Sequence, residues 1–263
     1  MPERSTGDQA LLDVDRLTHR FGGVTALHGL SLRIQPTGVH AVIGPNGAGK
    51  TTLFNVVTGM LRPTEGRVTF KGRDITGVRP DLIARHGLSR TFQNVRVFGE
   101  MTVLDNVLVG AHKYVDTGFL RAFVRIPFHS TKLELAVRRR ALELLEFVGL
   151  AELARRPAKS LPLAAQRKVE VARALASEPD LVLLDEPTAG MNAGEKEEIV
   201  RLVADLRGLG RAVLLVEHDM RVVMGLADAI SVINFGEKIA EGPPSHVQND
   251  ARVIEAYLGT GIG

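Results

Sequence analysis

The stretch GPNGAGKTT at Gly44–Thr52 decides the fold, because it joins the apolar run HAVI to a run typical of a helix. It fits the pattern G-x-x-x-x-G-K-[ST] in the strand-to-helix context that the pattern requires. The glycines let backbone N–H groups turn inward around phosphates, and the helix start adds a partial positive charge. Lys50 is placed to reach the β- and γ-phosphates, and Thr51 to ligate Mg²⁺. A chance glycine-rich turn is the alternative. The predicted phosphate-binding residues are Gly44, Pro45, Asn46, Gly47, Ala48, Gly49, Lys50, Thr51 and Thr52.

A second stretch, LVLLDEPTAG at Leu181–Gly190, ends an apolar strand with two carboxylates. A buried parallel strand delivers such a pair to the carboxyl edge of its sheet, where ligands bind. Asp185 is expected to hold Mg²⁺, largely through waters because that ion dehydrates reluctantly. Glu186 is expected to polarise the attacking water. The alternative is a strand that ends in a solvated acidic turn, and the nearby phosphate loop favours the catalytic interpretation.

Three further residues are candidates for functional roles only in combination with these two motifs. His218 ends the apolar run AVLLVEHD, where a neutral imidazole fits a γ-phosphate oxygen, although a lone strand-end histidine is usually structural. Gln93 follows a short strand, where its amide fits Mg²⁺ or a water while the loop after it contacts a partner. Phe21 is placed to stack on adenine, although most phenylalanines belong to the core.

The composition allows one large domain and narrows its class. The chain has 263 residues, 44% hydrophobic and 24% charged, which is ordinary for a globular protein with a sizeable core. The net charge of +3 selects neither membrane, nucleic acid nor phosphorylated ligand. Cysteine is absent, so neither a disulfide framework nor a thiolate metal site is expected. The polar start MPERSTGDQA predicts no signal peptide, and the apolar runs are far shorter than the roughly 20 residues of a membrane helix.

The order of the patterns predicts an α/β protein with a helical insertion. Short apolar runs separated by glycine in the opening third of the chain are typical of strands. Residues 94–175 are predicted to be mainly helical. There, Thr102 fits an N-cap, and an apolar stripe from Leu133 to Val148 has helical spacing and ends at Gly149. From Leu181 onward strands and helices alternate, which indicates a largely parallel sheet.

In this order along the chain, the motifs resemble the ATPase subunit of an ABC transporter, and the resemblance covers nearly the whole chain. It implies one domain, 1–263. That domain has a P-loop NTPase core of mostly parallel sheet at 1–93 and 176–263, an N-terminal antiparallel β subdomain, and an α-helical subdomain at 94–175. It implies ATP hydrolysis with ATP and Mg²⁺ as cofactors, in a head-to-tail dimer where each phosphate loop faces the partner's signature helix. The implied catalytic residues are Lys50, Gln93, Glu186 and His218, and the implied metal ligands are Thr51, Gln93 and Asp185.

Four motifs and one long stretch make the resemblance more specific, because they look like the larger ATPase subunit of branched-chain amino acid importers. The motifs are RFGGVTAL, TFQNVRVFGEMTVLDNVLVGAH, EHDMRVVMGLAD and VIEAYLG, and the stretch lies between His112 and Leu133. This implies transmembrane permease subunits, an extracytoplasmic substrate-binding protein, and a peripheral position on the cytoplasmic face of the inner membrane. It implies no nucleic-acid partner. Importers of urea or amides and lipopolysaccharide-export ATPases share parts of the pattern, so the cargo stays open.

The stretch LPLAA at Leu161–Ala165 departs from the family signature, which usually reads Leu-Ser-Gly-Gly-Gln. In the family, the serine hydroxyl and glycine amides bind the γ-phosphate held by the opposite subunit. Here Pro162 brings neither hydroxyl nor N–H, Ala164 adds a methyl group, and Ala165 replaces the glutamine. A lost hydrogen bond to a charged group costs roughly 1.5–3 kcal/mol. We therefore expect a heterodimer with a weak site opposite this turn. The alternative is that backbone amides alone suffice.

Other functions stay open at this point. ABC ATPases that act on ribosomes or DNA usually carry two ATPase halves or long coiled coils, and neither pattern occurs here. A small-molecule P-loop kinase leaves Gln93 and His218 unexplained, and Glu186 argues against a subunit that binds ATP without hydrolysing it. The aromatic and basic stretch at Tyr114–Phe128 predicts either a packed subdomain helix or a contact with the membrane subunit or the bilayer.

Overall fold

The computed structural model describes residues 10–91, 95–111 and 132–258. The strands within them are β1 (Leu12–Phe21), β2 (Val24–Ile34), β3 (Gly38–Ile43), β4 (Glu65–Phe70), β5 (Arg73–Asp74), β6 (Leu88–Arg90), β7 (Leu181–Asp185), β8 (Ala212–Val216), β9 (Ala229–Asn234) and β10 (Glu237–Gly242).

The helices of the same residues are α1 (Lys50–Val57), α2 (Pro80–Arg85), α3 (Val103–Gly110), α4 (Lys132–Phe147), α5 (Leu163–Leu175), α6 (Ala193–Gly208), α7 (Met220–Leu226), α8 (Pro244–Val247) and α9 (Ala251–Leu258). Short 3₁₀ turns lie at Ala151–Leu153 and Ala158–Ser160. Among these helices, none has both the length and the apolar character needed to cross a bilayer.

The larger sheet has the strand order β10-β9-β3-β8-β7-β6, and every neighbouring pair except β10–β9 is parallel. Every residue of β7 and β8 is buried, as is typical of parallel strands with both faces covered. The predicted mostly parallel sheet is confirmed. Because parallel strands end at one edge, the segments that follow β3, β6, β7 and β8 meet there.

The smaller sheet is antiparallel, with the order β2-β1-β4-β5. One hydrophobic core joins its buried side chains to α1 and the larger sheet, with Leu17, Phe54 and Leu214 among its members. The N–H of His28 on β2 donates to the carbonyl oxygen of Gly236 at 3.0 Å, which ties β2 to the turn between β9 and β10. The N-terminal antiparallel sheet implied by the resemblance is therefore present.

Within the described residues of the middle of the chain, the main elements are helices, and α3, α4 and α5 share a second hydrophobic core with α6. Thr102 caps α3, because its hydroxyl oxygen accepts the N–H of Asp105 at 3.1 Å. Gly149 follows α4 with a left-handed φ of 72°, a conformation that favours glycine after a helix. The exact limits of the helical subdomain, 94 and 175, stay a prediction.

The structure adds two details to the helical region. The predicted apolar stripe lies on α4, but Leu133 is 51% exposed, so the buried part of the stripe begins further along the helix, at Val137. Ser160 does not cap α5, because its hydroxyl donates to the carbonyl oxygen of Pro157 at 2.7 Å inside a 3₁₀ turn. The helix starts instead after Pro162, which has no side-chain group for capping.

Candidate active site

The phosphate loop leads from β3 into α1, and two of its glycines are required by space as well as by backbone shape. Gly44 has a φ of 156°, and a Cβ there would lie 2.0 Å from the carbonyl oxygen of Ile233 on β9. Gly49 has a φ of 106°, and its Cβ would lie 2.5 Å from the carbonyl oxygen of Ala26 on β2. Neighbouring backbone therefore holds the loop from both sides in a conformation that side chains would prevent.

Lys50, the first residue of α1, lies buried over the loop. Its Nζ donates to the carbonyl oxygens of Gly44 at 2.7 Å and Pro45 at 2.9 Å. Burial lowers the pKa of the Lys50 ammonium, and the charges of Glu186 and Asp185 act in the opposite direction. A buried cation that lies on the phosphate loop and close to these carboxylates is suited to an anionic ligand.

Asp185 ends β7, is 1% exposed, and is held by an arginine that sequence analysis missed. Its Oδ2 accepts from Nη2 of Arg90, the last residue of β6, at 2.8 Å. Nη1 of Arg90 also donates to Oδ1 of Asn55, one turn after Thr51 on α1, at 2.7 Å. Arg90 thereby fixes the carboxylate relative to α1. The available signal was an arginine at a strand end, three residues before Gln93.

Glu186 and His218 follow the neighbouring strands β7 and β8, and the sheet brings them together. Nδ1 of His218 lies 3.9 Å from Oε2 of Glu186. The Glu186 side chain is 22% exposed and that of His218 is 60% exposed, so both are open to water. Glu186 has a φ of 46°, a left-handed conformation that is uncommon outside glycine and that recurs at functional sites.

Glu217, between β8 and His218, is a second residue that sequence analysis missed. Its carboxylate is buried and accepts hydrogen bonds from Thr188 and from the backbone of His218. The only sequence signal for Glu217 was its position as a charged residue directly after a fully apolar strand. A strand that ends in a solvated turn gives the same signal.

The turn that precedes α5 presents few polar groups. Pro162 is exposed and provides no cap, and Nε2 of Gln166 closes the turn by donating to the carbonyl oxygen of Leu161 at 2.8 Å. The Ala164 methyl group is buried in the core, so it does not lie on the accessible face of the turn. The departures that reach the accessible side are Pro162, the exposed Leu163 and the half-buried Ala165. The first backbone N–H groups of α5 remain as donors, since a helix start gives them no internal acceptor.

Phe21 ends β1 at the hairpin that leads into β2, the strand behind the phosphate loop. Its ring is 49% exposed and stands edge-on to His19 with a centroid separation of 4.5 Å. Gln93 and the stretch Tyr114–Phe128 lie outside the described residues, so their predicted roles stay predictions.

The described donor set fits a nucleoside triphosphate with Mg²⁺. A Cβ at Gly44 or Gly49 would collide with neighbouring backbone, so the loop keeps this shape only with glycine there, and the buried Lys50 cation lies over it. Thr51 is exposed near the start of α1, and Asp185 supplies a carboxylate. A hydroxyl and one carboxylate, together with substrate phosphates, are ligands that Mg²⁺ commonly takes.

The chain matches two family models. One, described as ABC transporter, matches residues 27–189, more than half of the chain. The other, described as branched-chain amino acid ATP-binding cassette transporter, matches residues 237–262.

Similar full-length proteins and structures are known. Over 252 residues the chain is 43% identical to the high-affinity branched-chain amino acid transport ATP-binding protein LivG of Salmonella typhimurium, covering 95% of this chain and 98% of LivG. It is also 43% identical to BraF of Pseudomonas aeruginosa, with the same coverage.

A crystal structure of a nucleotide-free ATP-binding cassette from an ABC transporter is 34% identical, with a TM-score of 0.83 over 95% of this chain and all of that one. A dimeric cassette in a post-hydrolysis state with ADP and Pi is 26% identical, with a TM-score of 0.71 over 89% of this chain and 98% of that one.

Proposed function

The chain belongs to the ABC transporter family of ATPases, and we propose that it is the ATP-hydrolysing subunit of a branched-chain amino acid importer. The observation that carries the proposal is the 43% identity to LivG over 98% of that protein's length. The match of residues 237–262 to a branched-chain amino acid transporter model supports the same class of cargo.

In this proposal the phosphate loop and Lys50 bind the triphosphate of ATP, and Phe21 stacks on adenine. Thr51 and Asp185 hold Mg²⁺ together with Gln93, and the bound ion supplies charge neutralisation on the phosphate oxygens. The glycine-lined cradle and the buried Lys50 ammonium support this assignment. Arg90 supports it as well, because its bond to Oδ2 fixes the orientation of the Asp185 carboxylate beside α1.

Hydrolysis is assigned to Glu186 and His218. Glu186 accepts a proton from the attacking water as its oxygen bonds to the γ-phosphorus and the bond from that phosphorus to the bridging oxygen breaks, which gives ADP and inorganic phosphate. A positioned base of this kind contributes about 10²- to 10⁴-fold. His218 hydrogen-bonds a γ-phosphate oxygen. The 3.9 Å separation of Nδ1 and Oε2 supports the assignment, because one small ligand group is within reach of both side chains.

We propose a heterodimer in which the turn at Leu161–Ala165 faces the ATP of a second ABC ATPase subunit. The similar dimeric cassette with ADP and Pi supports dimerisation as such. The asymmetry rests on Pro162, which exposes neither a hydroxyl nor an N–H to a phosphate. This chain's ATP is then hydrolysed opposite an intact partner signature, and the partner's ATP is hydrolysed slowly.

Permease subunits of the membrane are the proposed mechanical partners, with an extracytoplasmic binding protein supplying cargo to them. This places the chain peripherally on the cytoplasmic face of the inner membrane. A cavity of about 850 Å³ supports such a contact, because it is lined by residues 95–98, which directly follow the Gln93 segment, and by Arg173 of α5.

The test is reconstitution of the chain with a candidate partner ATPase and permease subunits in proteoliposomes. We expect ATP-dependent uptake of leucine, isoleucine or valine in the presence of the binding protein, and loss of that uptake with Glu186→Gln. Uptake of urea or amides in place of branched-chain amino acids contradicts the proposed cargo. ATPase activity that is stimulated by lipopolysaccharide and by no amino acid overturns the importer assignment.

A further inference from the structure

Glu217 is a buried carboxylate that the proposed chemistry does not use. Its side chain is 0% exposed. A buried charge is costly unless hydrogen bonds satisfy its oxygens, so a site that keeps one has a use for those bonds. One carboxylate oxygen of Glu217 accepts hydrogen bonds from the segment that follows Glu186. The other oxygen accepts hydrogen bonds from the segment that carries His218.

The Oε1 atom holds the turn that follows Glu186. It accepts the backbone N–H of Thr188 at 3.0 Å and also the Thr188 hydroxyl. Thr188 is itself buried and lies two residues after Glu186. Because Glu186 has a left-handed φ of 46°, its turn is strained and needs contacts from outside to keep its shape.

The Oε2 atom holds the start of the segment that carries His218. It accepts the backbone N–H of His218 at 3.0 Å and that of Asp219 at 3.4 Å. The His218 side chain is 60% exposed, so packing restrains it little and its backbone sets its direction. A single carboxylate therefore links the two strand ends from which Glu186 and His218 project.

We propose that Glu217 is a positioning residue that holds Glu186 and His218 in register for hydrolysis. The inference rests on the proposed ATPase function of these two residues. The bonds of Glu217 run to Thr188, His218 and Asp219 and to no residue of the phosphate loop. Its loss therefore lowers kcat and leaves ATP binding nearly unchanged.

The experiment compares Glu217→Gln with the unmodified chain in the assembled complex. The amide keeps the size of the side chain but places an NH₂ donor against N–H donors on one of the two arms. We expect kcat to fall about 10- to 100-fold, because one charged hydrogen-bonding arm is lost, while the KM for ATP changes less than about threefold. Amide hydrogen exchange at Thr188, His218 or Asp219 is expected to become faster.

The matched control is Glu143→Gln, the same chemical change at a half-exposed glutamate that pairs with Arg140 on α4, away from the site. It is expected to leave kcat unchanged. If Glu217→Gln fails to fold, Thr188 gives a second test. Thr188→Ser keeps both bonds and is expected to retain kcat, whereas Thr188→Val loses the hydroxyl bond and is expected to lower kcat with the KM unchanged.

A folded Glu217→Gln variant with normal kcat overturns the inference, as does an equal loss of kcat and of ATP affinity. Equal kcat for Thr188→Ser and Thr188→Val overturns it as well. The proposed function fails in a different way, which is full ATPase activity in Glu186→Gln. The two failures are therefore distinguishable in one set of assays.

Discussion

The phosphate loop and the turn before α5 are both helix starts, yet they differ in what they offer a phosphate. At α1 the left-handed Gly49 opens the backbone, and the buried Lys50 adds a full positive charge. At α5 the exposed Pro162 precedes the helix without any capping side chain. The helix dipole and unpaired N–H groups are common to both starts. The comparison teaches that a helix start becomes a strong phosphate site only when glycines and a cation are added to it.

The largest effect is expected for Lys50→Ala, which removes the cation from the stronger site. Turnover at this chain's site should fall about 100- to 1000-fold, since an electrostatic contact to the reacting phosphates is lost. ATPase activity and the affinity for a fluorescent ATP analogue are the measurements. Lys159→Ala, at an exposed lysine paired with Glu100, serves as the control and should have no effect. Unchanged affinity and turnover in Lys50→Ala contradict the nucleotide site itself.

The asymmetry between the sites is tested next by Glu186→Gln in this chain, compared with the equivalent change in the partner subunit. The first should leave only the weak site active and lower total ATPase about 10- to 150-fold, the range given by one lost charged hydrogen bond. The second should spare most activity. Steady-state ATP hydrolysis by the mixed complexes is the readout. If the change in this chain spares most activity, the heterodimer has no such asymmetry.

Restoring family residues in the turn at Leu161–Ala165 tests whether their loss is what weakens this turn as a phosphate site. Pro162→Ser with Ala165→Gln restores a hydroxyl and an amide at two of the accessible positions, while the buried Ala164 is left in place. In the Glu186→Gln background, residual hydrolysis should rise about tenfold or more. Ala164→Gly is the contrasting variant and should change little. No gain from the double variant indicates that backbone amides already suffice.

Substitutions at two glycines of the phosphate loop distinguish the cost of a steric clash from the cost of a left-handed backbone conformation. Gly47 has a φ of 82°, and a Cβ there meets nothing within 4 Å. Gly47→Ala should therefore cost only the left-handed backbone, about 1–2 kcal/mol. Gly44→Ala should cost more, because its Cβ collides with the carbonyl oxygen of Ile233. Denaturant unfolding measures both, and equal losses contradict the steric argument.

The smallest effect is expected at the rim of the same sheet edge, where Lys196 pairs with Asp219 at 2.6 Å. The hydrogen bond from Lys196 lowers the pKa of Asp219 below its usual value. The pair therefore contributes stability that is present above the unfolded pKa and lost as the pH falls through the folded pKa. Lys196→Met should cost less than about 1 kcal/mol at pH 7 and reduce the loss of stability below about pH 4. Thermal unfolding across this range is the measurement, with Lys238→Met as the control.

The sequence was most informative where a motif fixes residue types at fixed spacing. Lys50, Asp185, Glu186 and His218 were all identified without coordinates, because each follows a strand or opens a helix within a recognisable pattern. The roles assigned to them stay predictions. Arg90 was missed because its partner Asp185 lies 95 positions away, and only the pairing of β6 with β7 brings them together.

The sequence by itself determined the α/β class, the parallel sheet and the position of the phosphate loop. These features follow from local apolar periodicity and from glycines whose backbone conformations other residues rarely adopt. Only the tertiary structure decided that the Ala164 methyl group is buried and that Glu217 links two strand ends. The direction of a side chain and the partner of a buried charge depend on segments distant in the chain, and no local pattern contains that information.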